Sequence, residues 1–157
     1  RSTLFPYTTL FRSWLTTIPV ALVAGCGKAC ELAAVEYKVN NDQAKQIKEG
    51  ILSVLNESGL SYQINGDQEY CVPGTLNICI EGVSSEALMI SAKQYCSISN
   101  GSACTSKSYS PSYVLSAMGI PEDQIESSIR ISWGHGVNTE EVLNSFYGLI
   151  NVAKQMK

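Results

Sequence analysis

Histidine is nearly missing from this sequence: the 157 residues carry one, His135. That scarcity bears on the six cysteines, Cys26, Cys30, Cys71, Cys79, Cys96 and Cys104. They nowhere show the doubled two-to-four-residue spacing of a zinc centre, and histidine cannot supply the missing ligands. Positive charge is also in short supply. Eleven Lys and Arg against fourteen Asp and Glu leave a net charge of −3, so the chain is not built to coat nucleic acid. No apolar run reaches the 18 residues or so that a bilayer-crossing helix needs. Repeats and low-complexity tracts are lacking too. What is present, 45% hydrophobic and 16% charged residues, is the composition of one globular domain with an ordinary core.

Cys26 and Cys30, four apart, would share one helix face. Both could touch a metal, but small buried fillers are the expected reading. The even cysteine count permits disulfides, yet the helix-rich stretches between do not resemble a small stapled scaffold, and a reducing cytoplasm is expected.

The chain opens "RSTLFPYTTLFRSW" without an initiating methionine, which suggests a fragment or a processed product. Arg1 to Ser13 resemble an in-frame translation of a sequencing-library adapter, so residues 1–16 read as adapter or junction sequence and 17–157 as the protein proper. A rival reading takes Arg12 and "WLTTIPVALVAGC" as a bacterial lipoprotein signal acylated at Cys26. The good helix formers of "GKACELAAVEYK" immediately afterwards count against it, because a flexible polar tether is expected there.

Periodicity then predicts a helix from Gly25 to about Val39, a cap at Asn41 or Asp42, and a second helix through Ser58. "LSYQIN" and "TLNICIEG" alternate as strands, the second burying Leu76, Ile78 and Ile80. "SSEALMISAKQY" is a helix capped at Ser84 or Ser85, and "CSIS" a short strand. Ser110-Pro111 begins a helix that stops at Gly119, and Pro121 starts a further turn. "SIRISWG" is a strand, and Asn138 or Thr139 caps the closing helix. Helices and strands mix without strict alternation, which points to a two-layer α/β sandwich. The two leading helices have no evident sheet of their own, as if separated from a larger preceding domain.

Two residues carry candidate chemistry. Cys104, in "ISNGSACTSKS", sits among glycine and small hydroxyl residues, with Lys107 placed to favour a thiolate. Composition alone leaves open a reactive thiol or a loop cysteine without a task. Arg130 lies mid-strand on the face opposite Ile129, Ile131 and Trp133. It could grip a carboxylate with two parallel hydrogen bonds, or simply belong to a solvated sheet face. His135, between glycines, reads as a turn residue without an assigned role.

Residues 73–134, from "PGTLNICIEG" through "SISNGSACTSKSYSPSYVL" to "SIRISWG", resemble the C-terminal part of cysteine desulfurases. These are pyridoxal-phosphate enzymes of aminotransferase class V. "IPVALVAGCGKACELA" and "NTEEVLNSFYGLI" extend the resemblance over nearly all of the chain from Thr17 onward. The family's Ser-Gly-Ser-Ala-Cys-Thr-Ser motif is matched with Asn100 in place of the first serine. The resemblance implies the small domain of a type I aminotransferase fold, preceded by a helical remnant of the large domain. It implies that Cys104 takes sulfur from L-cysteine as a persulfide, releasing alanine, and that Arg130 holds the substrate carboxylate. It aligns Thr17 with a cofactor-phosphate contact made across a homodimer, although Thr16 stands where glycine is expected. The cofactor-bearing lysine and the residues around the cofactor ring have no match, so stable pyridoxal-phosphate binding by this chain alone is not expected. Tyr113 replaces a histidine common at its position. A sulfur-acceptor protein is implied, with iron–sulfur assembly, tRNA thiolation and DNA phosphorothioation as candidate pathways, the last favoured by "SKSYSPSYVL". Neither a membrane nor direct nucleic-acid contact is expected.

Overall fold

In the computed structural model of the chain, residues 19–100 and 111–157 are described. The expectations for the adapter-like segment, Thr17, Cys104 and Lys107 lie outside them. The chain divides into two compact units, Arg1–Lys38 and Val39–Lys157.

The first described element is one helix, α1 (Val20–Ser58), not two. The sequence expectation of a break at Asn41 or Asp42 is therefore corrected. Asn and Asp cost at most about 0.7 kcal/mol each inside a helix, whereas a break strands several backbone donors and acceptors. The second unit also holds this stretch by its side chains. Gln43 Nε2 donates to the Val137 carbonyl at 2.9 Å, and Trp133 Nε1 donates to the Ala44 carbonyl at 3.1 Å.

Three strands follow as an antiparallel sheet in the order β1 (Tyr62–Ile64), β2 (Thr75–Ile80), β3 (Ser128–Ser132). Between β2 and β3 lie the helices α2 (Ser85–Ser91), α3 (Tyr113–Ala117) and α4 (Glu122–Glu126); α5 (Thr139–Gln155) closes the chain. Ser84, Ser112 and Asn138 cap α2, α3 and α5 through their side chains. Gly119, at φ +77°, ends the α3 region where an L side chain would be strained.

The β2–β3 register sets Leu76 opposite Ile131 and Ile78 opposite Ile129. Alternation sends this apolar set to one face. There it joins Ile47, Ile51 and Leu55 of α1, Leu88 of α2, and Phe146, Leu149 and Ile150 of α5 in one buried cluster. The result is a helical layer on a small sheet. The other face carries Thr75, Asn77 and Cys79 from β2 and Ser128, Arg130 and Ser132 from β3.

Candidate functional site

The stretch expected as a "CSIS" strand makes a single bridge. Arg130 N donates to the Ser99 carbonyl at 2.6 Å, and Ser99 N donates to the Arg130 carbonyl at 3.0 Å. An antiparallel residue that exchanges both bonds on one side cannot use them on the other. Arg130 therefore turns its main chain toward Ser99 and pairs with Asn77 on β2 without hydrogen bonds between their backbones. Asn77 in turn offers its carbonyl to β1's side, accepting from Asn65 N at 2.9 Å. The Arg130 side chain is exposed, and no hydrogen bond or ion pair to it occurs among the described residues. Its guanidinium is a cation without a described counter-charge, mounted on a strand whose main chain is held from both sides.

Around it the polar face is largely satisfied. Asn65 Nδ2 donates to Asn77 Oδ1 at 2.7 Å and to Ser128 Oγ at 2.9 Å, while Ser128 Oγ donates to the Gln124 carbonyl at 2.6 Å. Thr75 Oγ1 lies 3.2 Å from Ser132 Oγ and donates to the Ile131 carbonyl at 3.1 Å. Cys79, 1% exposed, shows that this face is covered at its Ser128 end. Burial pushes its thiol up from the ordinary value, with the carboxylates of Glu81 and Asp123 adding to the rise. The Cys96 thiol is also raised by burial. Neither environment favours a thiolate nucleophile.

Cys96 borders a cleft of about 600 Å³, together with Trp133, Val137, Asn138, Glu141 and Phe146. This cleft was not evident from sequence, because its walls come from α1, the segment after α2, β3 and α5. No described lysine lines it: Lys28, Lys38, Lys45, Lys93, Lys154 and Lys157 are exposed, and Lys48 is half-buried on α1. His135 is exposed in a turn of the β3–α5 connection, as its glycine neighbours suggested. Tyr113, 77% exposed, is the first residue of α3. Cys26 and Cys30 are exposed on α1 rather than buried as fillers, and among the described residues no group of three metal-ligating side chains forms. Helical backbone on both sides of Cys26 differs from the tether that the lipoprotein reading requires.

The aminotransferase class-V family model matches residues 12–144. The cysteine desulfurase IscS of Anaeromyxobacter dehalogenans is 41% identical over 132 residues, covering 84% of this chain and 32% of that protein. A NifS-like protein from Rickettsia africae superimposes with a TM-score of 0.70 at 25% identity, over 88% of this chain and 36% of its own. DndA from Streptomyces lividans does so with a TM-score of 0.54 at 32% identity, over 75% and 32%. The chain spans 27% to 36% of the length of the curated relatives it matches.

Proposed function

The chain belongs to the aminotransferase class-V family, and on that premise we propose that it carries the sulfur-accepting part of a cysteine desulfurase. In this reading Val39–Lys157 is the small domain of a type I aminotransferase fold, and the preceding part of α1 belongs with the large domain. Residues 1–16 are adapter-derived or junction sequence in this reading, with the family match reaching back to residue 12. Cys104 is the nucleophile: its sulfur bonds to the sulfur of L-cysteine as the substrate's carbon–sulfur bond breaks. The electron pair of that bond and a proton end on carbon, giving L-alanine and an enzyme persulfide. Arg130 grips the substrate carboxylate, and a sulfur-acceptor protein then takes the persulfide sulfur.

The observation that carries this reading is the reciprocal hydrogen bonding of Ser99 and Arg130. Ser99 is five residues before Cys104, so chain connectivity alone keeps the two Cα atoms within about 18 Å. In this reading the residue that grips the carboxylate is hydrogen-bonded to the chain five positions ahead of the nucleophile. Burial raises the thiols of Cys79 and Cys96, and the assignment of the nucleophile to Cys104 rests on the family resemblance of its motif.

Pyridoxal phosphate is the family's cofactor, and the described residues do not fit it: none of their lysines stands in an enclosed site. The cofactor, the Thr17 contact to its phosphate and the homodimer that such a contact implies belong to a protein of the relatives' length. Among the described residues no helix is long and apolar enough to cross a membrane, which is compatible with a cytoplasmic setting.

The test is the persulfide itself. The chain is joined from Thr17 to the remaining part of the Anaeromyxobacter enzyme and incubated with L-cysteine, and its peptides are weighed. One added sulfur on the Cys104 peptide, absent in Cys104→Ser, is the expected result. Sulfur on Cys79 or Cys96 instead overturns the assignment.

One observation favours a second reading, a stand-alone persulfide carrier: Val39–Lys157 is a compact unit with its own buried core. A cooperative thermal transition and a monodisperse sedimentation boundary for residues 17–157 would be required of it.

A further inference from the structure

We infer that Asn77 is a second contact to the substrate carboxylate, its side-chain N–H group acting beside the Arg130 guanidinium. The inference rests on the reading of Arg130 as the clamp. It begins with the pairing of the two residues. Because Arg130 spends both main-chain groups on Ser99 and Asn77 gives its carbonyl to Asn65, they form a pair without mutual backbone bonds. In that kind of antiparallel pair the side chains stand closest.

The hydrogen-bond network then dictates which way the Asn77 amide faces. Ser128 has one hydroxyl proton, and it goes to the Gln124 carbonyl at 2.6 Å. Ser128 can therefore only accept from Asn65, at 2.9 Å, so the Asn65 atom there is nitrogen. The same atom lies 2.7 Å from the Asn77 side chain. That contact must be a donation to Oδ1, and the Asn77 nitrogen is left with two protons and no described acceptor. The amide orientation follows from proton counting, not from the appearance of the group.

Two donors without an acceptor among the described residues now stand side by side on the sheet, one cationic and one neutral. Neither can accept from the other, so a third group carrying acceptor atoms can bridge them, and beside a guanidinium an anion does so most strongly. Their neighbours in the two rows do not compete, since Thr75 and Ser132 bond to each other and Cys79 is buried. A carboxylate has about four lone-pair directions; a bidentate guanidinium uses two, and an adjacent amide N–H can take a third. A planar carboxylate is the anion that the proposed substrate presents to such a pair.

The test uses the 157-residue chain, labelled with ¹⁵N and titrated with sodium acetate, following the Asn77 side-chain amide and the Arg130 Nε–H signal. Both should move along a single isotherm. Asn77→Ala should weaken the Arg130 isotherm about tenfold, the usual loss for one hydrogen bond to a charged group. Asn77→Asp keeps the bond from Asn65 but places an anion beside Arg130, and should abolish the response. Should Asn77→Ala fold poorly, Asn65→Ala leaves both contacts in place and frees the amide to rotate, with a loss of about threefold expected. An Asn77 signal that stays still while Arg130 moves, or an unchanged isotherm in Asn77→Ala, overturns the inference. So does inorganic phosphate binding more tightly than acetate. If Arg130 does not respond at all, the clamp and this inference fall together. Persulfide on Cys104 with a silent Asn77 overturns the inference and leaves the desulfurase reading standing.

Discussion

Replacing Arg130 by lysine separates folding from substrate capture. The main chain at position 130 is held by two bonds to Ser99 and lies opposite Asn77, and none of these contacts uses the guanidinium. The side chain is exposed and has no partner among the described residues. Stability should therefore change by no more than about 0.5 kcal/mol, the usual range for such a surface position. Substrate capture should behave otherwise. A guanidinium meets a carboxylate through two parallel N–H bonds, while an ammonium is a point charge that cannot reproduce the fork. Losing one charge-assisted bond costs about 2 kcal/mol, roughly thirtyfold in affinity. Urea melts of the chain read the first quantity. The dependence of persulfide formation on L-cysteine concentration, in the joined protein, reads the second. An unchanged concentration dependence would place the clamp elsewhere. A stability loss of about 2 kcal/mol or more would show that the guanidinium serves the fold, contrary to the exposure and hydrogen bonding on which the expectation rests.

Five further expectations follow. Asn138 Oδ1 accepts from the backbone of Glu140 at 2.9 Å and of Glu141 at 3.3 Å, so Asn138→Ala should cost about 1–2 kcal/mol in a urea melt, and Asn138→Asp should keep most of it. Gly148 packs under the Tyr95 ring with no room for a Cβ, so Gly148→Ala should destabilise by about 1–3 kcal/mol, and a second change of Tyr95→Ala should recover part of that loss. At pH 8 iodoacetamide should label the exposed Cys26, Cys30 and Cys71 well before Cys79 and Cys96. Since the raised thiols of Cys79 and Cys96 stay protonated longer in the native state than in the unfolded one, their contribution is whole below the ordinary thiol value of 9.0 and fades as pH rises above it; melts between pH 8 and 11 would show the decline. Mixing the chain with pyridoxal phosphate and reducing with borohydride should give no single stoichiometric lysine adduct, and mass spectrometry of its peptides would reveal one if the described lysines have been misjudged.

Elements that announce themselves locally were legible in the sequence. Ser84 and Asn138 cap where their types predict, and Leu76, Ile78 and Ile80 bury the face their alternation assigns. The α3 cap fell at Ser112, two residues after the expected start, its hydroxyl accepting from Leu115 N. Features that depend on tertiary register were not legible. The continuity of α1 rests on Gln43 and Ala44 meeting residues about ninety positions away. Alternation puts Cys79 on the face of Asn77, yet it is buried there, and no periodicity within β2 reveals what covers one end of a strand. Arg130 could be picked out by its place in an apolar strand. Asn77 and Asn65 could not, because their meaning appears only once β2 and β3 are paired. Cys104 and Thr17 stand on the family resemblance, since they lie outside the described residues.

The Ser99–Arg130 rung also bears on how the sheet meets other molecules. A three-stranded sheet has two open margins, and unpaired backbone there can template the addition of foreign strands. One margin, β1, is only three residues long. On the other, β3 turns the backbone of Ser128, Arg130 and Ser132 outward, and Ser99 occupies the central position while the arginine sets a charge beside it. Ser99 thus takes up the central pair of backbone groups on the longer margin, which should disfavour the addition of a foreign strand there. Ser99→Pro, which removes one of its two bonds, should raise the tendency of the chain to self-associate on concentration, visible as a growing hydrodynamic radius in light scattering.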